Sequence, residues 1–175
     1  MKTKEELLKL YDLPLKELLE EAKKYTKKQF EFCSLISART GKCSQDCKYC
    51  AQSSFYKTNC TVEPLIDTKK VVEAALESKN NGAINFAIVT SGKTADEAKD
   101  FSVILTMIEE IKRLGLNPCA SIGIADRKQL ESLKKAGLKR FHHNINTCKS
   151  YHDKICSTHT YQDRINTCKL VKEIG

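Results

Sequence analysis

Three cysteines stand within one short run, Gly41-Lys-Cys43-Ser-Gln-Asp-Cys47-Lys-Tyr-Cys50. Their spacing, C-x3-C-x2-C, lets three thiolates fold around one centre. Ligation by thiolates alone selects zinc or an iron–sulfur cluster. Three protein ligands on a four-iron cube leave one iron open to a ligand that is not protein. A zinc site completed by Cys33 or Cys60 is the alternative left open by the spacing. The chain holds nine cysteines in 175 residues, an odd number. It begins MKTKEELLKL, with no apolar signal core. Both points argue against a disulfide framework and for metal or redox chemistry.

Such a loop needs elements to hold it. From Cys33 onward, short apolar runs alternate with amphipathic helices. Cys33 to Ala38, Ala83 to Val89, Pro118 to Ile122 and Lys139 to Ile145 read as strands. Asp67 caps a helix carrying Val71, Val72, Ala75 and Leu76. Thr94-Ala-Asp-Glu97 forms a capping box that opens a helix running through Leu114. Asp126 caps a helix bearing Leu130 and Leu133, and Thr160 caps one bearing Tyr161, Ile165, Cys168 and Val171. Gly82, Gly115, Gly137 and Gly175 stand where helices end. Strand followed by helix, four times over, predicts an α/β fold with parallel pairing. The sheet is either open and doubly wound or part of a (β/α)8 TIM-type barrel. In both, ligands bind at the C-terminal ends of the strands, where the Cys43 loop lies.

Residues 1–30 form a separate helical lead-in. Leu15, Leu18, Leu19, Ala22 and Tyr25 follow the period of one buried helix face, with Pro14 at its start. Residues 31–175 form the core domain of four strand–helix units. Cys33 and Cys168 read as core residues.

Composition narrows the function classes. Hydrophobic residues make up 41% and charged residues 30%, a globular mixture. No apolar run approaches the roughly 20 residues that cross a bilayer, so the expectation is a cytoplasmic protein without membrane contact. The net charge of +8 would suit nucleic acid, but the lysines fall in pairs (Lys23-Lys24, Lys27-Lys28, Lys69-Lys70, Lys134-Lys135) on helical segments mixed with acids. Those are solvated helix faces, and no nucleic-acid partner is expected.

The stretch Cys43-Ser-Gln-Asp-Cys-Lys-Tyr-Cys-Ala-Gln-Ser-Ser54 resembles the cluster loop of radical S-adenosylmethionine (SAM) enzymes. Asp46, Tyr49, Ala51, Gln52 and Ser53 narrow the resemblance to the biotin synthase family. It continues through Phe141-His-His-Asn-Ile-Asn-Thr147 and Thr160-Tyr-Gln-Asp-Arg-Ile-Asn166, covering nearly the whole chain. The resemblance implies a 4Fe–4S cluster on Cys43, Cys47 and Cys50, whose free iron chelates SAM. It implies cleavage of SAM to methionine and a 5′-deoxyadenosyl radical, with the cofactor supplying the hard chemistry. It implies sulfur insertion between C9 and C6 of dethiobiotin, the sulfur coming from an auxiliary 2Fe–2S cluster. By the same resemblance, Thr90, Ser91 and Gly92 receive the methionine amino group. Arg164 contacts SAM, Asn144 lies at the SAM and dethiobiotin pocket, and Asn146 lies near the SAM ribose. Cys119 is an auxiliary-cluster ligand. A homodimer and a flavodoxin or ferredoxin-type electron donor are implied as well.

Two positions depart from the family pattern. Ala87 stands where a second auxiliary-cluster cysteine is expected, so that cluster is absent, held by fewer protein ligands or of another type. Asn146 replaces an acidic residue, which keeps hydrogen bonding to hydroxyls but removes a charge. Rival readings are another radical SAM barrel enzyme, of the hydrogenase-maturation or methylornithine-forming kind, and a non-enzymatic zinc-binding or nucleic-acid-binding module. A full barrel takes about 250 residues. The expectation is therefore a fragment, the first half of a barrel, with the edge of its fourth strand exposed and no turnover by itself.

Overall fold

The computed structural model describes residues 2–26, 30–95 and 100–175. The chain divides into two compact units, Met1–Phe30 and Glu31–Gly175.

The first unit holds α1 (Lys4–Tyr11) and α2 (Leu15–Lys23). Thr3 and Glu6 close a capping box on α1, each side chain bonding the other's backbone N–H. Pro14 precedes α2 with its φ of −53° already helix-compatible. The expected buried face is not buried: Leu15 is 71% and Tyr25 73% exposed. Periodicity specifies a stripe able to pack, but burial also requires a second surface over it.

The second unit runs β1 (Cys33–Arg39), α3 (Thr68–Asn80), β2 (Asn85–Thr90), α4 (Phe101–Arg113), β3 (Asn117–Ser121), α5 (Arg127–Ala136), β4 (Arg140–Phe141), α6 (His152–Ile155) and α7 (Tyr161–Ile174). The four strands form one parallel sheet in the order β1-β2-β3-β4. That is the α/β strand–helix repeat of a barrel wall. The caps lie where local chemistry puts them. Asp67 accepts from the Lys69 N–H, Asp126 and Gln129 close a capping box, and so do Thr160 and Asp163. The helix expected from Thr94 begins, among the described residues, at Phe101. Asp96 and Glu97 of the expected capping box lie outside the described residues.

One face of the sheet makes the core. Ala38, Phe86, Ile88, Ala120 and Ile122 pack with Val71 and Ala75 of α3, Ile104, Met107, Ile108 and Ile111 of α4, and Leu130 and Leu133 of α5. Each large side chain so buried contributes about 1.5–3 kcal/mol. The other face carries Cys33, Leu35, Asn85, Ala87, Asn117 and Cys119, and there Leu35 is 65% exposed.

Three expectations need correction. Cys33 is exposed, because β1 turns it to the face opposite the core. Cys168 is only half-buried; its neighbour Thr167 takes the interior position of α7. The fourth strand, expected over Lys139 to Ile145, is two residues long. Its ladder is extended by Lys139 N–H to Pro118 O (2.8 Å) and His142 N–H to Ala120 O (2.7 Å). Asn146 then adopts φ 68°, a left-handed conformation that no strand can contain.

Candidate functional site

The cysteine loop leaves the C-terminal end of β1 and is pinned along its length. Thr40 and Glu63 exchange backbone hydrogen bonds of 3.1 Å. Cys43 N–H donates to Gln52 O (2.9 Å), Ser54 N–H to Cys43 O (2.9 Å) and Cys50 N–H to Cys47 O (3.0 Å). The loop thereby curls back on itself, with Cys43 and Cys47 buried and Cys50 partly so. Ser91 Oγ, just past β2, donates to Gly41 O (2.7 Å) and ties the second strand's exit to the loop.

A second clamp comes from residues more than a hundred positions away. Lys48 N–H donates to Ile155 O (2.9 Å). Asp46 Oδ1 accepts from the N–H of Ser157 (2.8 Å) and of Thr158 (3.1 Å), and from Thr158 Oγ1 (2.9 Å). Ser157 Oγ donates to Asp46 Oδ2. These donors, Ser157 foremost, hold the Asp46 carboxyl well below the ordinary carboxylate range.

Inside that clamp, Cys156 Sγ lies 3.7 Å from Cys47 Sγ and 3.2 Å from His159 Nδ1. The ligand atoms of Cys47, Cys156 and His159 all lie within 4.8 Å of one another. Arg164 Nε donates to His159 Nε2 (2.8 Å), which leaves Nδ1 to carry the ring proton and donate to Gln45 Oε1 (2.8 Å). Burial, with Arg164 next, lowers the His159 pKa to about 4 and keeps the ring neutral. Burial, reinforced by Cys156, pushes the Cys47 thiol up to about 11. A bound metal reverses that by replacing the proton.

The expected site residues fall into three groups. Cys43, Cys47 and Cys50 share the loop. Ser91 and Gly92 line, with Arg39, Thr40, Gly41, Lys42 and Ser44, a cavity of about 700 Å³ beside it. Thr90 is the buried last residue of β2. Arg39 Nε donates to Ser91 O (3.0 Å) and its guanidinium pairs with Asp100, fixing that segment. Asn144 meets Arg164 through its carbonyl, which accepts from Arg164 Nη1 (2.8 Å). Asn146 follows with an exposed side chain. Cys119 lies apart from all of these, in the middle of β3. The sequence reading missed Cys156 and His159. Their C-x-x-H spacing is a ligand-like signal, but nothing local tells that it folds against Cys47.

A sequence profile described as the radical SAM superfamily matches residues 37–175. This chain belongs to the radical SAM superfamily. Membership implies SAM and a 4Fe–4S cluster as cofactors, and the three-thiolate loop has the donor set a radical SAM cluster needs. Among curated relatives, the chain is 42% identical to a biotin synthase of Clostridium perfringens over 99% of its own length and 56% of the relative's. It is 40% identical to one of Clostridioides difficile over 94% of its length and 51% of that relative's. The chain thus spans about half the length of the curated relatives it matches. Among solved structures, methylornithine synthase superposes with a TM-score of 0.75 at 17% identity, covering all of this radical SAM chain and 50% of the other. The FeFe-hydrogenase maturase of Carboxydothermus hydrogenoformans gives 0.75 at 16%, over 100% and 40%. At such identities the likeness concerns the fold alone. Among the described residues, no helix is long and apolar enough to cross a membrane.

Proposed function

We propose that this radical SAM protein acts in biotin formation, in the reaction of biotin synthase: sulfur insertion into dethiobiotin. One observation carries the reading. The chain is 42% identical to a biotin synthase over nearly all of its length, including the loop that the chemistry requires.

Cys43, Cys47 and Cys50 hold the cluster in this reading. When bound and reduced, a 4Fe–4S cluster supplies the electron that splits SAM. The chain's own residues bind and orient. Arg164 is anchored through Nε and Nη1, and its remaining terminal nitrogen points to no partner among the described residues. A guanidinium so fixed suits the methionyl carboxylate. The Thr90-Ser91-Gly92 turn lies beside the cluster loop and offers backbone to the amino group. Asn144 and Asn146 offer amides to hydroxyls of the nucleoside and to dethiobiotin. A flavodoxin or ferredoxin-type protein is the electron donor, and the working assembly is a homodimer.

The test is anaerobic reconstitution followed by electron paramagnetic resonance. The chain should give a reduced-cluster signal that changes on adding SAM, and Cys43→Ala should lose both. A Cys43→Ala protein that keeps them overturns the assignment. Ala87 favours one second reading, a radical SAM barrel enzyme with no sulfur donor of its own. Dethiobiotin recovered unchanged, with SAM cleaved, decides for it.

A further inference from the structure

Ala87 leaves the middle of the sheet one thiolate short, and the strand register shows what surrounds the gap. Ala87 pairs with Leu35 on β1 and with Cys119 on β3, and Cys119 pairs with Arg140 on β4. One step toward the N-terminal ends, Asn85 pairs with Cys33 on β1 and with Asn117 on β3. Asn85 Nδ2 donates to Cys33 Sγ (3.3 Å), and Asn117 Nδ2 donates to Asn85 Oδ1 (3.3 Å). That row therefore projects from one face, away from Phe86, Ile88 and Ala120 in the core. Residues two apart on a strand share a face, so Cys119 projects beside Asn117. Cys33 and Cys119 stand on the same side of the sheet, with Ala87 between their strands.

Their separation indicates the kind of group they suit. Two strand spacings and two residues of rise put the α-carbons about 12 Å apart along the sheet. Two thiolates on one tetrahedral ion with bonds of about 2.3 Å lie only about 4 Å apart, too close for this pair. A polynuclear cluster spans the gap. Its surroundings are prepared too. Asn85 donates to Cys33 Sγ, and hydrogen bonds to cluster sulfurs tune the potential. Arg140, whose Nη2 donates to Glu31 Oε2 (2.8 Å), brings positive charge next to Cys119.

We propose that Cys33 and Cys119 are two thiolate ligands of a second, polynuclear iron–sulfur cluster, Cys33 taking the part that Ala87 leaves without a donor. The proposal deepens the sulfur-insertion reading and rests on it for the cluster's purpose, though not for the existence of the site.

The test begins with a Cys43→Ala, Cys47→Ala, Cys50→Ala triple variant, which removes the loop thiolates. It is reconstituted anaerobically with ferrous iron, sulfide and dithiothreitol, whose thiols can complete the iron coordination. It should retain iron, acid-labile sulfide and broad visible absorbance. Adding Cys33→Ser or Cys119→Ser should remove them, Cys148→Ser should not, and Ala87→Cys should restore them to the Cys33→Ser form. A colourless triple variant with native circular dichroism overturns the proposal, as does iron that survives Cys33→Ser. If the triple variant fails to fold, the unaltered loop serves instead. There Cys33→Ser should lower the iron content while the SAM-responsive signal persists, and unchanged iron refutes the site. Loss of that signal from the parent chain would instead count against the first cluster.

Discussion

Arg164 Nε donates to His159 Nε2 at 2.8 Å, and the bond fixes both partners. It sets the histidine tautomer, and it aims the guanidinium across the exit of the cluster loop. His159 is in turn tied to Gln45, two residues before Cys47. The loop that carries the metal ligands thus positions the cation. His159→Phe should weaken SAM binding about tenfold, the equivalent of one lost hydrogen bond to a charged group. His159→Gln, which keeps an acceptor, should recover most of it. A SAM titration of the reduced-cluster signal reads both, and equal affinity in the Phe variant would contradict the relay.

The same histidine gives a pH dependence. Its folded pKa of about 4 lies below the ordinary 6.5, and His143, lowered mainly by burial, behaves alike. The unfolded chain takes up protons first, so stability is full above about pH 6.5 and falls as pH drops toward 4. Denaturant midpoints of the cluster-free chain between pH 7.5 and 4.5 should show this decline. His159→Gln should make it shallower. The Asp46 carboxyl contributes with the same sign at lower pH, because its folded pKa is depressed below the ordinary carboxylate value.

Two glycines in the left-handed region should differ sharply. A Cβ on Gly82 (φ 88°) would meet nothing within 4 Å. A Cβ on Gly123 (φ 87°) would lie 2.2 Å from Lys93 O, where the loops after β2 and β3 touch. Gly82→Ala should cost about 1 kcal/mol, the conformational penalty alone. Gly123→Ala adds a backbone collision and should cost roughly 3 kcal/mol or more. Thermal unfolding of the pair checks the ranking.

Arg39 and Asp100 form an ion pair whose side chains are only 11% and 14% exposed. Arg39→Met leaves the carboxylate buried without its cation and should cost about 3–5 kcal/mol. It also frees Ser91 O. Hydrogen exchange should then rise at residues 91 and 92 before it rises in α5. Uniform exchange across the sheet would show that Arg39 supports the fold in general and not this turn.

The sequence by itself determined the three loop cysteines, the parallel strand–helix repeat, and the caps at Asp67, Asp126 and Thr160. These are local codes. Thiolate spacing, apolar period and capping chemistry act over a few residues, and each can be read without knowing what lies across the sheet. Only the tertiary structure decided that β4 stops at Phe141, that Cys33 turns away from the core, and that Asp46 closes on Ser157 across 111 positions. Periodicity marked Cys33 as strand, but its face depends on the register with Asn85. Cys156 and His159 became part of the site because the 155–159 segment folds over Cys47. Strand order and register set these long-range pairings, and no short stretch of chain encodes either.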